Sequence, residues 1–347
     1  MFYSNHAHRP IINWLLLGCL LIFLMVLIGG LTRLTNSGLS MVEWNMFMGS
    51  LPPSNTAEWN EMFDKYKQYP EYQKINFNIT LDEFKQIFLW EYTHRFLGRL
   101  IGLVFIVPFL WFLLKGKLWP SLTYKLLIIL FLGAFQGVLG WYMVKSGLLH
   151  EPDVSHFRLA MHLITAFITF AYTFWVALEL IYPKNGNRQK KMAPWIWVLL
   201  IVLFIQIIYG AMVAGLNAGK IYTTWPKMGD SWIAEAVTSM QPLYHNFLEG
   251  LAGVQFVHRY VAYLVVFLVL MVYFKARDLF LNSRQKKSLN FLIIMVGVQF
   301  LIGVLTLVYA VPIVLGTLHQ LGAFFLLAGV VFCLHTFISN PSVPDPN

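Results

Sequence analysis

Charged side chains are scarce in this 347-residue chain. Lysine, arginine, aspartate and glutamate make up 12% of the residues, about half the share found in globular proteins. This scarcity excludes a string of soluble domains, although the length would suit about two or three of them. Cysteine is scarce too, since Cys19 and Cys333 are the two that the sequence holds. The chain therefore has neither a disulfide framework nor a CxxC metal site.

Apolar residues are abundant and are gathered in long runs. They make up 58% of the chain. A run of about 20 apolar residues crosses a bilayer as a helix, because lipid cannot satisfy an open backbone. The sequence predicts an all-α integral membrane protein with eight transmembrane helices, at about 14–32, 93–114, 122–144, 157–182, 193–216, 254–274, 289–310 and 315–338.

The basic residues are unevenly distributed along the chain. A net charge of +9 would by itself suit a nucleic-acid partner. The cations are concentrated, however, in alternate short connections such as 115–117, 184–191 and 275–287. Short loops rich in Lys and Arg stay on the cytoplasmic side of a membrane. We therefore expect both termini in the cytoplasm, contact with membrane lipid and no nucleic-acid partner.

The N-terminal stretch carries no targeting signal of the imported kind. About a dozen residues precede the first predicted span, and they are not rich in Arg and Ser and show no small-residue cleavage site. This favours a bacterial inner membrane over an imported organellar precursor.

Motifs recur in the two halves of the chain. Asn36 precedes Trp44 by the same spacing with which Asn217 precedes Trp225. Each half holds four spans, so the pattern predicts two repeated four-helix bundles in the same orientation. The expected organisation is a cytoplasmic tail at 1–13, an N-terminal bundle at 14–182 with an outer loop at 33–90, a cytoplasmic linker at 183–192, a C-terminal bundle at 193–338 and a cytoplasmic tail at 339–347.

Two capping signals lie in the predicted outer loop. Asn55 is followed three residues later by Glu58, and Thr80 by Glu83. This spacing is typical of a helix start. We expect two short helices on the membrane surface.

Four histidines lie at one depth, within the first two turns of the even-numbered spans: His94, His162, His258 and His319. A lone membrane histidine more often bonds a neighbouring helix. Four in register, two in each half, favour ligation. Two facing imidazoles are a common axial pair for haem iron. Zinc or copper would need about three or four ligands at close spacing.

Arginines and glycines surround these histidines. Arg95, Arg99 and Arg259 are candidates to pair with haem propionates; alternatively, they extend to the membrane surface. Glycines on the second and third spans would leave room for a flat ring, or would only pack helices closely. They are Gly98, Gly102, Gly133, Gly137 and Gly140.

Glu91 breaks the symmetry of the two halves. It precedes His94 by three positions and so shares its helix face, whereas the counterpart residue in the second half is Gln255. An acid beside an iron site could carry protons or stabilise a cationic intermediate. Alternatively, it only forms an ion pair with Arg95. The asymmetry suggests one reactive site and one that carries electrons.

The motifs of the chain resemble those of heme A synthases of the mitochondrial and proteobacterial type. They extend over nearly the whole sequence and are specific in combination. The matching stretches include 29–35, 37–41, 91–95 with 98–99, 136–144, 158–162, 255–259 and 318–320.

The resemblance implies an oxidoreductase that oxidises the C8 methyl of heme O to a formyl group by successive hydroxylations, giving heme A for terminal oxidases. It implies that His94 and His162 hold the substrate haem, that His258 and His319 hold a cofactor haem b, and that Glu91 is catalytic. Heme O synthase, cytochrome oxidase assembly factors and a second copy of the chain are the further partners it suggests. The cysteine pairs of one branch of the family are missing here, so a redox role of such thiols does not carry over.

Two other classes of function remain open on the residues alone. A membrane electron-transfer cytochrome with two haems b would share the scaffold, but it needs no acid beside one iron. A transporter with repeated halves is the other class, although its sites usually lie at the bilayer midplane on broken helices. The pigment bound to the purified protein distinguishes the three.

Overall fold

The structure is a computed structural model that describes residues 8–42, 52–147, 154–182 and 189–338. Trp44, the rest of 43–51, the linker residues 183–188 and the tail residues 1–7 and 339–347 lie outside the described residues. Within the described ranges the regular structure is helical, and no strand is present.

The described chain forms eleven α-helices, which we number in order: α1 (Arg9–Leu34), α2 (Thr56–Tyr66), α3 (Pro70–Lys74), α4 (Leu81–Leu114), α5 (Pro120–Gly147), α6 (His156–Ile181), α7 (Ala193–Gly215), α8 (Tyr244–Leu248), α9 (Leu251–Arg277), α10 (Ser283–Val308) and α11 (Ile313–Ile338). Among these described helices, eight are long and apolar enough to cross a membrane. A helix of 26 residues such as α1 is about 39 Å long, against roughly 30 Å of hydrocarbon. The predicted all-α membrane fold with eight spanning helices is confirmed.

Both predicted capping signals start a helix, but one of the two helices is not short. Asn55 caps α2 by accepting a hydrogen bond from the Glu58 amide. Thr80 and Glu83 form a reciprocal capping box. The helix that follows Thr80 continues without a break through the second span, so the expected separate surface helix is wrong.

An aromatic cluster explains why α4 begins so early. Phe63 and Tyr66 of α2 pack against Phe84 and Phe88 of α4, and all four side chains are buried. Phe63 stacks on Phe84 with ring centroids 5.0 Å apart. This packing stabilises the first turns of α4, in which charged residues alternate with the apolar ones.

The chain divides into two compact units, each of which is described separately. One unit holds the residues up to Leu20 and those from Ala166 onward. In it, α7 and α10 each pack against both α9 and α11, which closes a four-helix bundle. Its core is apolar, and Gln285 ties α10 to α11 by donating to the Thr336 carbonyl at 3.2 Å.

The other unit runs from Leu21 to Thr165. Here α4 packs against α2 and α5. The boundaries of the units fall within α1 and α6. The two-domain division at 14–182 and 193–338 rests on the sequence repeat and stays a prediction.

Candidate functional site

The four histidines predicted as ligands lie on four spanning helices, α4, α6, α9 and α11. Each side chain is half-buried. His94 and His162 belong to the unit from Leu21 to Thr165, and His258 and His319 to the other unit. The two members of each predicted pair therefore belong to the same unit.

The rings of His258 and His319 lie next to each other in the bundle of α7, α9, α10 and α11. Their centroids are 6.3 Å apart and their planes meet at 86°. A metal-bound imidazole nitrogen lies about 2 Å from its metal, and the ring centroid roughly 1 Å further away. Two rings on opposite sides of one metal ion therefore have centroids roughly 6 Å apart. The observed separation would leave room for one iron between the two rings.

Buried ring nitrogens provide a second test of whether these residues fit a haem. The Nδ1 atoms of His94, His162 and His258 are buried without a hydrogen-bond partner. Such an atom costs about 1–3 kcal/mol, so it is uncommon outside ligand sites. Within the described residues, no group of three or more His, Cys, Asp and Glu side chains could hold a metal ion. Two imidazoles in each unit suit a haem, whose macrocycle supplies the other ligands.

The carboxylate of Glu91 is buried on α4 and accepts hydrogen bonds from three groups. The Ser40 hydroxyl and the Met41 amide donate to Oε2 at 2.7 and 2.8 Å. Arg95, one turn later, donates to Oε1 and also to the Met41 carbonyl, the latter at 2.9 Å. The ion pair between Glu91 and Arg95 is therefore present. The group as a whole ties the segment after α1 to α4.

The corresponding residues of the other unit make a related contact that contains no acid. Arg259 donates to the Tyr222 carbonyl at 2.7 Å, as Arg95 does to that of Met41. Gln255 donates to the same Tyr222 oxygen at 3.1 Å. The bond from arginine to a loop carbonyl is thus repeated. The acid, and with it the ion pair, belongs to the N-terminal site.

The two loops that receive these bonds leave their helices in the same way. Asn36 follows α1 and Asn217 follows α7, and both adopt a left-handed backbone, with φ of 50° and 53°. Asparagine tolerates this conformation better than most residues. Met41 follows Asn36 by the same spacing as Tyr222 follows Asn217. The loops therefore present equivalent carbonyls to equivalent arginines.

Glutamines matched by the sequence repeat hold two of the histidines from a neighbouring helix. Gln136 on α5 donates to the His162 carbonyl at 3.1 Å. Gln299 on α10 donates to the His319 carbonyl at 2.9 Å, and its amide nitrogen lies 3.2 Å from Nδ1 of the same residue. Partners of this kind orient the ligands of a metal site.

All three arginines predicted to pair with propionates are partly buried. Arg95 is largely buried. Arg259 bonds the carbonyls of Tyr222 and Lys227. Arg99 is half-buried, one turn beyond Arg95. Arg95 does not simply extend to the membrane surface, and the propionate contacts of all three stay predictions.

Sequence reasoning misses several members of the site. The hydroxyl of Ser40 and the main chain of Met41 and Tyr222 are among them, and the repeat spacing alone could have paired the last two. Gln206 is also missed, although its amide nitrogen lies 3.4 Å from Nε2 of His258. Its position on an apolar span carries no signal in a single sequence.

Comparison with known proteins shows which family and which relatives the chain is similar to. Residues 12–331 match a family described as cytochrome oxidase assembly protein. The chain is 52% identical over 333 residues to heme A synthase of Flavobacterium johnsoniae, covering 94% of this chain and 98% of that protein. It is 42% identical over 330 residues to heme A synthase of Nitrosomonas eutropha, covering 94% and 93%. With heme A synthase of Parvibaculum lavamentivorans it shares 43% identity over 332 residues, covering 96% and 95%.

Proposed function

The chain belongs to the heme A synthase family, and from this premise we propose which of its residues hold substrate, hold cofactor and act on the reacting group. It is an oxidoreductase that converts heme O to heme A by oxidising the C8 methyl to a formyl group. Its eight spanning helices make it a multi-pass membrane protein.

The substrate site is assigned to the unit that runs from Leu21 to Thr165, which we call the N-terminal unit; the unit that holds the residues from Ala166 onward is the C-terminal unit. His94 and His162 would hold the iron of heme O. The observation that carries this assignment is the difference between Glu91 and Gln255 at matching positions, each one turn before a histidine. Oxidising a methyl group develops charge and releases protons, whereas holding an electron carrier requires neither. The unit with the acid is therefore the reactive one.

The hydrogen bonds of Glu91 favour one of its two possible roles. Three donors point at its oxygens, a pattern that suits the ionised carboxylate, which only accepts. A proton taken up on Oε2 would displace the Ser40 or the Met41 donor, and a proton on either oxygen would remove the charge that pairs with Arg95. Stabilising positive charge on the substrate leaves these bonds in place. We assign Glu91 the electrostatic role, with Arg95 holding its orientation.

The cofactor site is assigned to the C-terminal unit, where His258 and His319 would hold haem b. When bound, this haem supplies one-electron transfer. The separation and angle of the two rings and the unpartnered Nδ1 of His258 support the assignment. Gln255 and Arg259 tie the Tyr222 loop to α9 without placing an acid there.

The charge distribution of the chain supports a proposal for its membrane and its orientation. We place it in a bacterial inner membrane with both termini in the cytoplasm, because the basic connections alternate along the chain. Heme O reaches it from heme O synthase, and heme A leaves toward cytochrome oxidase assembly factors. A homo-oligomer is part of the same proposal.

The test is Glu91→Gln, made in cells that supply heme O, followed by chromatography of the haems extracted from the purified protein. Heme A should fall by about a hundredfold, while heme O and haem b stay bound. The control is Glu61→Gln, because Glu61 is exposed on α2, where it pairs with Lys65. Normal heme A from Glu91→Gln would remove Glu91 from the reaction. An extract with haem b alone from the unaltered protein would favour the electron-transfer cytochrome.

A further inference from the structure

Each of the four proposed ligand rings lies edge-on against a glycine of a neighbouring helix. The Cε1 atom of the ring is the nearest atom in every case. A Cβ added to the glycine would lie 2.9 Å from Cε1 for Gly29 and His94, 3.5 Å for Gly140 and His162, 3.1 Å for Gly210 and His258, and 2.7 Å for Gly303 and His319.

The four glycines differ in how much room they leave for a side chain. At Gly303 and Gly29 an added Cβ falls below 3.0 Å, so the ring or the helix would have to move. At Gly210 the contact would be tight, and at Gly140 it would be an ordinary van der Waals contact. A ring edge held this closely cannot turn freely about its bond to Cβ.

The contacts follow the internal repeat of the chain. Gly29 lies on α1 and precedes Asn36 by the same spacing with which Gly210, on α7, precedes Asn217. Gly140 and Gly303 follow Gln136 and Gln299, the glutamines that bond the carbonyls of His162 and His319, by four positions. On α5 and α10 one helix face therefore both anchors the histidine and limits its ring.

We propose that Gly29, Gly210 and Gly303, and less strictly Gly140, are positioning residues that set the rotation of the haem-ligating imidazoles. The inference rests on the proposed function, because it needs the four histidines to be ligands. A methyl group at these places would turn the ring away from the iron, or would tilt it. The ring orientation in turn sets how the imidazole orbitals meet those of the iron.

The competing explanation is that these glycines only let helices pack closely. The chain offers two matched controls. Gly297 lies on α10 with Gly303, and a Cβ added there would meet nothing within 4 Å. Gly329 lies on α11 with His319, and a Cβ added there would lie 3.0 Å from the Phe291 ring. Alanine at Gly329 therefore crowds a helix contact without touching a ligand.

The experiment compares Gly303→Ala, Gly297→Ala and Gly329→Ala, each purified from membranes that supply heme O. Haem b per chain, the electron paramagnetic resonance (EPR) spectrum and the thermal midpoint are measured. Gly303→Ala should lower the affinity for haem b by about tenfold or more, or shift the g-values of the haem that stays. Gly297→Ala should match the unaltered protein. Gly329→Ala should lower the thermal midpoint and leave the spectrum unchanged.

The same measurement on the other glycines tests the order of the distances. Gly29→Ala should lower the amount of heme O bound at the His94 and His162 site more than Gly140→Ala does. Gly210→Ala should disturb haem b less than Gly303→Ala. The haem of the unaltered unit shows that each variant has folded, and Gly210→Ala stands in if Gly303→Ala does not accumulate.

Two results would overturn the inference. One is full haem b with an unchanged EPR spectrum in Gly303→Ala and Gly210→Ala. The other is a spectral change of equal size in Gly329→Ala. His319→Ala distinguishes this failure from that of the proposed function. If His319→Ala loses haem b while the glycine variants keep it, only the positioning role is wrong; if His319→Ala also keeps it, the ligand assignment itself is wrong.

Discussion

His258 and His319 meet with their ring planes at 86° and their centroids 6.3 Å apart. These two residues would hold the proposed haem b between crossed rings. A haem held in this way would have a characteristic low-spin signature. The geometry of one residue pair therefore makes a spectroscopic prediction.

The oxidised protein should show a low-spin haem b signal with a strongly anisotropic EPR spectrum, because the two ring planes are crossed. His319→Ala should remove this signal, and the haem at His94 and His162 should stay. Low-temperature EPR on the purified protein measures both. A rhombic spectrum of parallel imidazoles in the unaltered protein would contradict the crossed geometry.

Arg95→Ala should destabilise the protein more than Arg259→Ala does. Removing Arg95 leaves the buried carboxylate of Glu91 without its cation, a loss of about 3–5 kcal/mol. Removing Arg259 costs hydrogen bonds to two carbonyls, about 1–2 kcal/mol. Thermal unfolding in detergent compares the two variants. The double variant Glu91→Gln with Arg95→Ala should recover part of the loss, and equal midpoints for the two single variants would refute the ion-pair explanation.

Tyr66 should make the segment around α2 sensitive to alkali. Its buried hydroxyl donates to Glu71 at 3.0 Å and accepts from Asn76 at 2.8 Å. Burial first, and then the charge of Glu71, raise the pKa of Tyr66 above its ordinary value of 10.0. The folded state therefore keeps the proton that the unfolded state releases. The contribution to stability is complete below pH 10.0 and is lost as the pH rises above it.

Amide hydrogen exchange of α2 between pH 9 and 11 measures this loss, the range being about one unit either side of the tyrosine pKa. Tyr66→Phe should abolish the added pH dependence and should destabilise the segment by about 1–2 kcal/mol at neutral pH. Tyr244→Phe is the control, because Tyr244 is exposed. If hydrogen exchange of α2 rises with pH as steeply in Tyr66→Phe as in the unaltered protein, another group titrates.

Cysteine labelling should reveal the orientation of the protein. Phe280, between α9 and α10, is 95% exposed, and Phe77, before α4, is 57% exposed. Cys19 and Cys333 are both buried, so the background should be low. An impermeable maleimide applied to the periplasmic side should label Phe77→Cys and not Phe280→Cys. The reverse pattern would invert the topology.

Local patterns explain what could be predicted from sequence. The eight spans follow from apolar runs, and the structure reproduces all eight; the largest shift is at the second span, which is predicted from 93 and begins at Leu81. The four histidines stand in register with these runs, so their helices and pairing could be predicted too. The helix start at Thr80 could be predicted from its capping signal, but the unbroken continuation of that helix into the second span could not, because charged residues interrupt the apolar run after Thr80. Phe84 and Phe88 of these first turns pack against α2, a contact that no local pattern shows.

The hydrogen-bond partners of Glu91 also differ in whether the sequence could reveal them. Arg95 lies one helical turn away, so the sequence could offer the ion pair as an alternative to proton transfer. Ser40 and Met41 lie about 50 positions earlier in the chain, and no pattern links them to Glu91. Their bonds favour the electrostatic role, which sequence reasoning left open.

The sequence by itself determined the membrane class, the eight spans and the resemblance to a family, and it singled out the four histidines that we propose as ligands, because each depends on residue type and spacing along one helix. The tertiary structure alone decided that His258 and His319 are crossed, that Glu91 is anchored to the loop after α1, and that a glycine backs every ligand ring. These relationships depend on how far one helix is rotated and shifted against the next. That is decided by packing summed over many side chains, which no single stretch of sequence contains.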